Sequence, residues 1–327
     1  MVGLAGPSLS RDEASLMRAL PPAGVILFSR NIEDPSQLSR LVASLRGILP
    51  PDSVLMVDQE GGRVARLRPP HWRAHPPAAA LGLLYATAPV AGLRAAWLTG
   101  ALIGLDCAAA GFDVVTAPVL DLFLPGGHSV VGDRAFGADP RAVARLGRAL
   151  ASGLLAAGVQ PVMKHIPGHG RAMVDSHLAL PRVESASLAA DLVPFKRNAG
   201  LPWAMTAHIL YPGWDAERPA TLSETIIRRI VRGRVGFAGV LVTDDLAMEA
   251  LAGPPASRAA ASLAAGADLA LYCAGDIEAN EAVLTAAPEL PGETAARLAR
   301  ARAVAEAARQ ALDAASLGPE RERLLGA

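Results

Sequence analysis

Cysteine is scarce in this chain of 327 residues, and no charge of one sign predominates. The two cysteines, Cys107 and Cys273, are far apart and lie in apolar segments, so a disulfide framework is excluded. We expect both to be buried free thiols in a reducing compartment. Thirty-one Lys and Arg balance 31 Asp and Glu. This balance offers no electrostatic reason to expect nucleic acid or an anionic membrane as a partner.

The sequence also lacks the usual targeting signals. Its first 20 residues do not combine a basic region with an uninterrupted apolar run, so we predict no secretory signal. We expect no stretch to approach the roughly 18 apolar residues that a membrane span requires. With no linker, repeat or low-complexity tract, we expect one domain over residues 1–327 in a cytoplasmic monomer, with no nucleic acid, membrane or protein partner.

What the sequence does contain is a series of short apolar runs separated by longer helical patterns. Eight runs are predicted strands: 2–6, 24–28, 53–58, 112–118, 159–165, 202–208, 239–245 and 267–273. Apolar strands that alternate with helices are typical of a parallel sheet covered on both faces. We therefore predict an α/β fold, a (β/α)8 barrel of TIM type; a doubly wound open sheet is the alternative.

Two helical segments have clear limits in the sequence. Residues 139–158 open with Asp-Pro and close on glycine, which are good start and stop signals for a helix. Residues 292–315 form a pattern rich in alanine and arginine. We predict that this second segment is one amphipathic helix that ends the domain.

Polar residues recur where the predicted strands end. In this position lie Asp58, Lys164, His165, His208, Asp244 and Asp245. Active sites of (β/α)8 barrels collect at the C-terminal ends of their strands. The sequence therefore predicts that these side chains meet at one end of the barrel.

The segment "KHIPGHGRAMVDSH", residues 164–177, holds three of the seven histidines. His165 and His169 have the spacing of zinc ligands on a helix, but Pro167 and Gly168 disfavour a helix between them, so we predict no metal site. In Asp175–Ser176–His177, the carboxylate could orient the imidazole as a general acid/base. An aspartate capping a turn beside a solvated histidine would give the same spacing.

Two further sets of residues could have a catalytic or binding role, but each also has an ordinary structural explanation. In "VTDDLAM", residues 242–248, one aspartate can cap a following helix while the other acts as nucleophile or base. Because adjacent strand residues point to opposite sides, we expect one of them to face the site. Arg66 and Arg134 follow glycines in predicted loops and suit carboxylates or hydroxyl-rich ligands, although each could be a surface charge.

Taken in order along the chain, these segments resemble glycoside hydrolase family 3. The segments that carry the resemblance are "GVILFSRNIEDPSQL", "DQEGGRVARL", "APVLDL", "GDRAFGADP", "KHIPGHG" with "DSH", "MTAHILYP" and "VTDDLAM". They cover almost the whole chain. Within the family, "DSH" and the lack of a second domain resemble the single-domain bacterial β-N-acetylhexosaminidases of peptidoglycan recycling.

The resemblance implies roles for individual residues. Asp244 matches the nucleophile that forms a covalent glycosyl-enzyme with retention of configuration, and Asp245 becomes a cap or structural partner. His177 matches the acid/base and Asp175 its dyad partner. The sugar-binding positions of the family match Asp58, Arg66, Arg134, Lys164 and His165. No cofactor or metal is implied.

The implied reaction is the release of terminal β-linked N-acetylglucosamine from small saccharides or muropeptides, such as N-acetylglucosaminyl-1,6-anhydro-N-acetylmuramic acid with or without its peptide. Chitin fragments are a second possible substrate. A phosphorylase or β-glucosidase of the same family, a barrel metallohydrolase and a non-catalytic sugar-binding barrel remain alternatives. Residues 171–174, "RAMV", are the part of the loop least like the family motif, and the sequence suggests no role for Arg171.

Overall fold

The computed structural model describes residues 1–124, 129, 131–176, 178–184 and 188–326. Its strands, each parallel to the next along the chain, are β1 Val2–Gly3, β2 Gly24–Leu27, β3 Val54–Val57, β4 Val114–Val115, β5 Gln160–Ile166, β6 Trp203–Thr206, β7 Val240–Asp245 and β8 Leu269–Leu271. A parallel bridge from Val2 to Tyr272 joins the last strand region to the first. The predicted (β/α)8 barrel is confirmed, and each of the eight apolar runs coincides with one strand, β5 extending one residue beyond its run.

Side chains alternate between two apolar layers along each strand. On β3, Val54 and Met56 belong to the cluster inside the barrel, whereas Leu55 and Val57 belong to the larger cluster beneath the helices. All four are at most 3% exposed. A parallel strand buried on both faces needs apolar residues at every position, which explains the continuous apolar runs in the sequence.

The strands are connected by helices that form the outer layer. The helices are α1 Arg11–Ala19, α2 Pro35–Arg46, α3 Ala78–Thr87, α4 Pro89–Ala109, α5 Pro140–Ala156, α6 Ala189–Arg197, a π-helix Ile226–Val235, α7 Pro255–Ala264, α8 Ile277–Ala286, α9 Gly292–Ala308 and α10 Ala314–Leu325. Helix α5 begins as predicted, since the Asp139 carboxylate accepts hydrogen bonds from the N–H groups of Arg141 and Ala142.

The end of the chain differs from the prediction of one helix over 292–315. Helix α9 ends at Ala308 because Arg309 is extended, with ψ near 136°. The N–H of Gln310 donates to the carbonyl of Ala156 at the end of α5, at 2.8 Å. Asp313 then caps a second helix, α10. The alanine-rich pattern concealed this break, since neither Gly nor Pro marks it.

The expectation that no apolar segment approaches the length of a membrane span was wrong for helix α4. Its 21 residues are long and apolar enough, by length and composition, to cross a membrane. In this structure it packs against α3, α5 and α10, and 61% of its apolar window is buried. Cys107 on this helix and Cys273 after β8 are both buried, as predicted for the two free thiols.

Candidate active site

A cavity of about 280 Å³ opens at the C-terminal ends of the strands. Seven of the eight residues predicted for the site line it: Asp58, Arg66, Arg134, Lys164, His165, Asp175 and Asp244. The eighth, His177, lies outside the residues that the structure describes. The prediction that strand-end polar groups converge at one end of the barrel is therefore confirmed for Asp58, Lys164, His165, Asp244 and Asp245.

Asp58, the residue after β3, is held between two cations and a hydroxyl. Its Oδ2 accepts a hydrogen bond from Nη2 of Arg66 at 2.8 Å, and its Oδ1 accepts one from the Thr116 hydroxyl. Lys164 Nζ lies 3.6 Å from Oδ1. Burial alone would raise the pKa of Asp58, but Lys164 and Arg66 outweigh it and hold the pKa well below its usual range.

A second buried carboxylate, Glu60, joins two of the predicted cations. It accepts two hydrogen bonds from the Arg134 guanidinium, each at 2.8 Å, and its Oε1 lies 2.6 Å from Lys164 Nζ. Burial opposes ionisation here too, yet Arg134 and Lys164 lower the pKa of Glu60 to about 2. Glu60 was not predicted from the sequence, although its position two residues after Asp58 was a usable signal.

His165 on β5 is oriented by a third buried acid, Asp121. The Nδ1 of His165 lies 2.6 Å from Asp121 Oδ2, and its Nε2 lies 3.5 Å from Nη2 of Arg134. Asp121 is fully buried and also accepts the backbone N–H of His169 at 2.6 Å. The ionised Asp121 favours the tautomer with hydrogen on Nδ1, which leaves Nε2 as the ring atom nearer Arg134. Asp121, also missed from sequence, ends the segment "APVLD".

Asp244, near the end of β7, is the remaining carboxylate at the floor of the cavity. One of its oxygens, Oδ1, accepts the backbone N–H of Asp245 at 2.9 Å. Burial would raise its pKa, but the positive potential of His165, His208 and Lys164 lowers it. Asp244 is therefore an anion at neutral pH. No arginine or lysine of the described residues lies within 4 Å of its carboxylate.

Asp245 and His208, the other two predicted strand-end residues, lie next to Asp244. We expected only one of the two adjacent aspartates to face the site, but Asp245 lines the cavity as well as Asp244. The reason is that the register of β7 is irregular between Val242 and Asp245. The Oδ1 of Asp245 accepts the N–H groups of Ala247 and Cys273, so it closes a turn and ties it to β8, and no helix starts there. His208 does not line the cavity; its Nε2 contacts the carbonyl of Asp245.

The loop after β5 approaches the site through two glycines. A Cβ on Gly170 would lie 1.9 Å from the carbonyl oxygen of Leu122, and one on Gly168 would lie 3.2 Å from Cβ of Asp191. Only residues without a side chain permit these approaches. The loop returns over the cavity, where Asp175 and Ser176 line it. His169 Nε2 lies 3.1 Å from the Ser176 hydroxyl, so this contact joins the two ends of the loop.

The two histidines considered as zinc ligands are directed to other partners. His165 contacts Asp121, and His169 contacts Ser176. The centroids of the two imidazole rings are 5.7 Å apart. Within the described part of the chain, no group of three or more His, Cys, Asp or Glu is placed to hold a metal ion.

The cavity combines the anionic carboxylate of Asp244 with three cationic side chains that are held in place. Arg66, Arg134 and Lys164 line a small polar cavity, and their contacts with buried acids fix their charged ends in place. Such a frame suits a neutral ligand with many hydroxyl or acyl oxygens. Asp244 is then positioned as a base, a nucleophile or a stabiliser of positive charge.

Comparison with known proteins agrees with this chemistry. Residues 3–309 match the N-terminal domain of glycosyl hydrolase family 3. A beta-hexosaminidase of Alkalilimnicola ehrlichii is 42% identical over 307 residues, which are 92% of this chain and 87% of the relative. A beta-hexosaminidase of Thiobacillus denitrificans is 40% identical over 308 residues, covering 92% of this chain and 85% of the relative.

Solved structures show the same likeness over the whole chain. NagZ from Neisseria gonorrhoeae in complex with N-trifluoroacetyl-D-glucosamine has a TM-score of 0.87 and 32% identity, covering 100% of this chain and 96% of that one. A β-N-acetylglucosaminidase of family 3 from a Paenibacillus species has a TM-score of 0.86 and 32% identity, covering 99% and 66%. The chain belongs to glycosyl hydrolase family 3, and it is a β-N-acetylhexosaminidase.

Proposed function

We propose that this enzyme is a retaining exo-β-N-acetylglucosaminidase that acts on peptidoglycan fragments in the cytoplasm. Its substrate is N-acetylglucosaminyl-1,6-anhydro-N-acetylmuramic acid, with or without the peptide. Asp244 is the nucleophile, and His177, paired with Asp175, is the acid/base.

One observation carries the proposal: Asp244 lies at the cavity floor with a lowered pKa and with no arginine or lysine of the described residues within 4 Å, whereas its neighbour Asp245 has a raised pKa and closes a turn. Asp58 and Glu60 are bonded to arginine and lysine, and Asp121 is bonded to His165. Within the described residues, the Asp244 carboxylate accepts one hydrogen bond, from a backbone N–H, and it remains ionised. An anion with a largely uncommitted oxygen is what attack on an anomeric carbon requires.

The reaction begins with attack of an Asp244 oxygen on C1 of the bound sugar. The bond from C1 to the leaving oxygen breaks, and that oxygen takes a proton from the imidazolium of His177. Water then attacks C1 of the glycosyl-Asp244 ester and gives its proton to the neutral imidazole, which restores both groups. Two displacements return the original configuration at C1.

A histidine in this role has an electrostatic advantage. Most retaining glycosidases pair two carboxylates, so the acid becomes an anion after it donates its proton. An imidazole becomes neutral instead, and it adds no negative charge beside the departing oxygen. Its ordinary pKa lies near neutral pH, where proton donation and acceptance are both accessible.

The cavity supports an enzyme that binds one terminal sugar. Its volume, about 280 Å³, lies at the small end of ligand sites. Asp58 accepts hydrogen bonds from sugar hydroxyls, while Arg66, Arg134 and Lys164 donate to hydroxyls or to the acyl oxygen. The complex of the gonococcal relative with an N-acylated glucosamine supports the same choice of sugar. The muropeptide as natural substrate rests on the family resemblance.

The test is hydrolysis of 4-nitrophenyl N-acetyl-β-glucosaminide by the wild type, Asp244→Gly and His177→Ala. We expect release of nitrophenol that resists a chelator, is independent of phosphate and is nearly abolished in Asp244→Gly. His177→Ala retains more activity, because nitrophenolate needs little help from an acid. Full activity of Asp244→Gly would exclude it as the nucleophile, and acceleration by phosphate would favour a phosphorylase. A higher rate on the muropeptide disaccharide than on chitobiose tests the natural substrate.

A further inference from the structure

An ion pair at the base of the loop after β5 takes no part in the reaction proposed above. Nε of Arg171 lies 2.8 Å from Oδ2 of Asp191, which belongs to the first turn of α6. Arg171 stands four residues before Asp175, in the segment that departs most from the family motif. The pair therefore connects the loop of the proposed acid/base to the outer layer of the barrel.

Burying the Asp191 carboxylate without Arg171 beside it would cost free energy. Its side chain is 3% exposed, against 33% for Arg171, and within the described residues its Oδ1 has no hydrogen-bond partner. Removing one member of a buried ion pair leaves the other charge uncompensated, which is far worse than exchanging both. The loop is thus held where Arg171 can reach Asp191.

The backbone beside the pair is already fixed against the same helix. Gly168 approaches Asp191 closely, and the Tyr211 hydroxyl donates to the Gly168 carbonyl at 2.6 Å. Ala172, which follows Arg171, is buried, whereas Met173 is 72% exposed and Val174 is 43% exposed. Arg171 is therefore anchored just before the exposed part of the loop.

A second contact fixes the returning part of the loop. Ser176, 3% exposed, bonds to His169. It stands between Asp175, which lines the cavity, and His177. The position of the acid/base segment thus depends on an outer contact, Arg171 with Asp191, and an inner contact, His169 with Ser176.

We propose that Arg171 is a positioning residue, whose ion pair with Asp191 holds the loop so that the acid/base can reach the leaving oxygen. This inference rests on the proposed function, in which the acid/base belongs to this loop. Loss of the pair leaves the sugar-binding frame on β3 and β5 in place and impairs proton donation. Substrates whose leaving group needs a proton are then affected most.

The test compares two substrates that share N-acetylglucosamine but differ in leaving group. Chitobiose, as the probe with an alkoxide leaving group, needs an acid, whereas the 4-nitrophenyl glycoside needs little. For Arg171→Ala we expect kcat/KM on chitobiose to fall about 10-fold to 100-fold, the cost of a displacement of about 1 Å at a reacting group. On the nitrophenyl substrate the fall stays below about threefold, and inhibition by N-acetylglucosamine is unchanged.

Further variants separate positioning from folding. Arg171→Lys keeps the charge and recovers part of the chitobiose rate. Asp191→Asn, which removes the buried charge, gives the same selective loss, and the double variant Arg171→Ala with Asp191→Asn is no worse than either single one. The control is Arg182→Ala, which removes an exposed pair with Glu184 on the same connection and leaves both rates unchanged.

Equal losses on both substrates, or no loss on either, would overturn the positioning role. His177→Ala is measured beside these variants, and its rates show the effect of losing the acid/base completely. If His177→Ala discriminates between the substrates while Arg171→Ala does not, the inference fails and the proposed function stands. If His177→Ala does not discriminate, the proposed acid/base itself is wrong.

Discussion

Nζ of Lys164 lies 2.6 Å from Oε1 of Glu60, and both side chains are at most 6% exposed. Glu60 also receives two hydrogen bonds from Arg134. One carboxylate thus holds together two of the cations that we propose to bind the sugar. The site is therefore an ionic framework that must be complete before a neutral ligand can bind.

Removal of Glu60 should destabilise the enzyme strongly. Glu60→Ala leaves Lys164 and Arg134 buried without their shared counter-charge, so we expect a loss of about 3–5 kcal/mol in the free energy of unfolding. Urea denaturation followed by circular dichroism measures it. Glu224→Ala removes an exposed pair with Arg228 and should cost less than about 1 kcal/mol. A small effect of Glu60→Ala would show that the framework does not depend on this carboxylate.

Asp121 should affect catalysis through His165. Asp121→Asn replaces the charged acceptor of His165 Nδ1, a hydrogen bond of the kind worth about 1.5–3 kcal/mol. We expect kcat/KM on the nitrophenyl substrate to fall by roughly 10-fold to 100-fold.

The matched control for this prediction lies at the opposite end of the same strand. Asp113, just before β4, also accepts a backbone N–H, from Leu55, and an arginine, Arg46. Asp113→Asn should lower stability without changing KM. Similar kinetic losses in both variants would mean that Asp121 acts on the fold alone.

The stability of the enzyme should fall in mild acid because of His169. Burial, helped by the nearby His165, lowers the pKa of His169 from 6.5 to about 4 against the raising influence of Asp121 and Asp244. Below pH 6.5 the unfolded chain takes up a proton that the folded loop does not. The stabilisation by neutral His169 is therefore present above pH 6.5 and is lost progressively between pH 6.5 and about 4.

The variant His169→Gln isolates this contribution. An amide nitrogen of glutamine can occupy the place of Nε2 opposite the Ser176 hydroxyl but does not titrate in this range. We expect unfolding free energies measured from pH 7 to pH 4 to decline less steeply in the variant than in the wild type. Because other groups titrate alike in both proteins, identical slopes would show that His169 is not the responsible group.

The barrel and most of the cavity were predictable from the sequence because their signals are local. Apolar runs mark strands, and polar residues at the ends of four of these runs mark the catalytic end of the barrel, as for Asp58 and Asp244. Long-range partners were not predictable. Glu60 and Asp121 acquire their importance from Lys164 and His165, about 100 and 44 positions away, and only the closed barrel brings these pairs together.

Two features that the sequence did not reveal have tertiary causes. The break between α9 and α10 depends on a hydrogen bond from Gln310 to Ala156 in another helix, which no local pattern reveals. The Arg171–Asp191 pair likewise joins a loop to a helix 20 residues later. In both places, tertiary contacts decided what local propensity left open.

The most direct measurement is the identification of the residue that becomes covalently attached to the sugar. The enzyme is incubated with a slow N-acetylglucosaminide that carries fluorine on the ring and a good leaving group, then digested and examined by mass spectrometry. We expect one glycosyl group per chain, attached to Asp244 within the peptide that contains "VTDDLAM", and no label in Asp244→Gly. A label on another carboxylate, or turnover with inversion and no trapped intermediate, would contradict the retaining mechanism centred on Asp244.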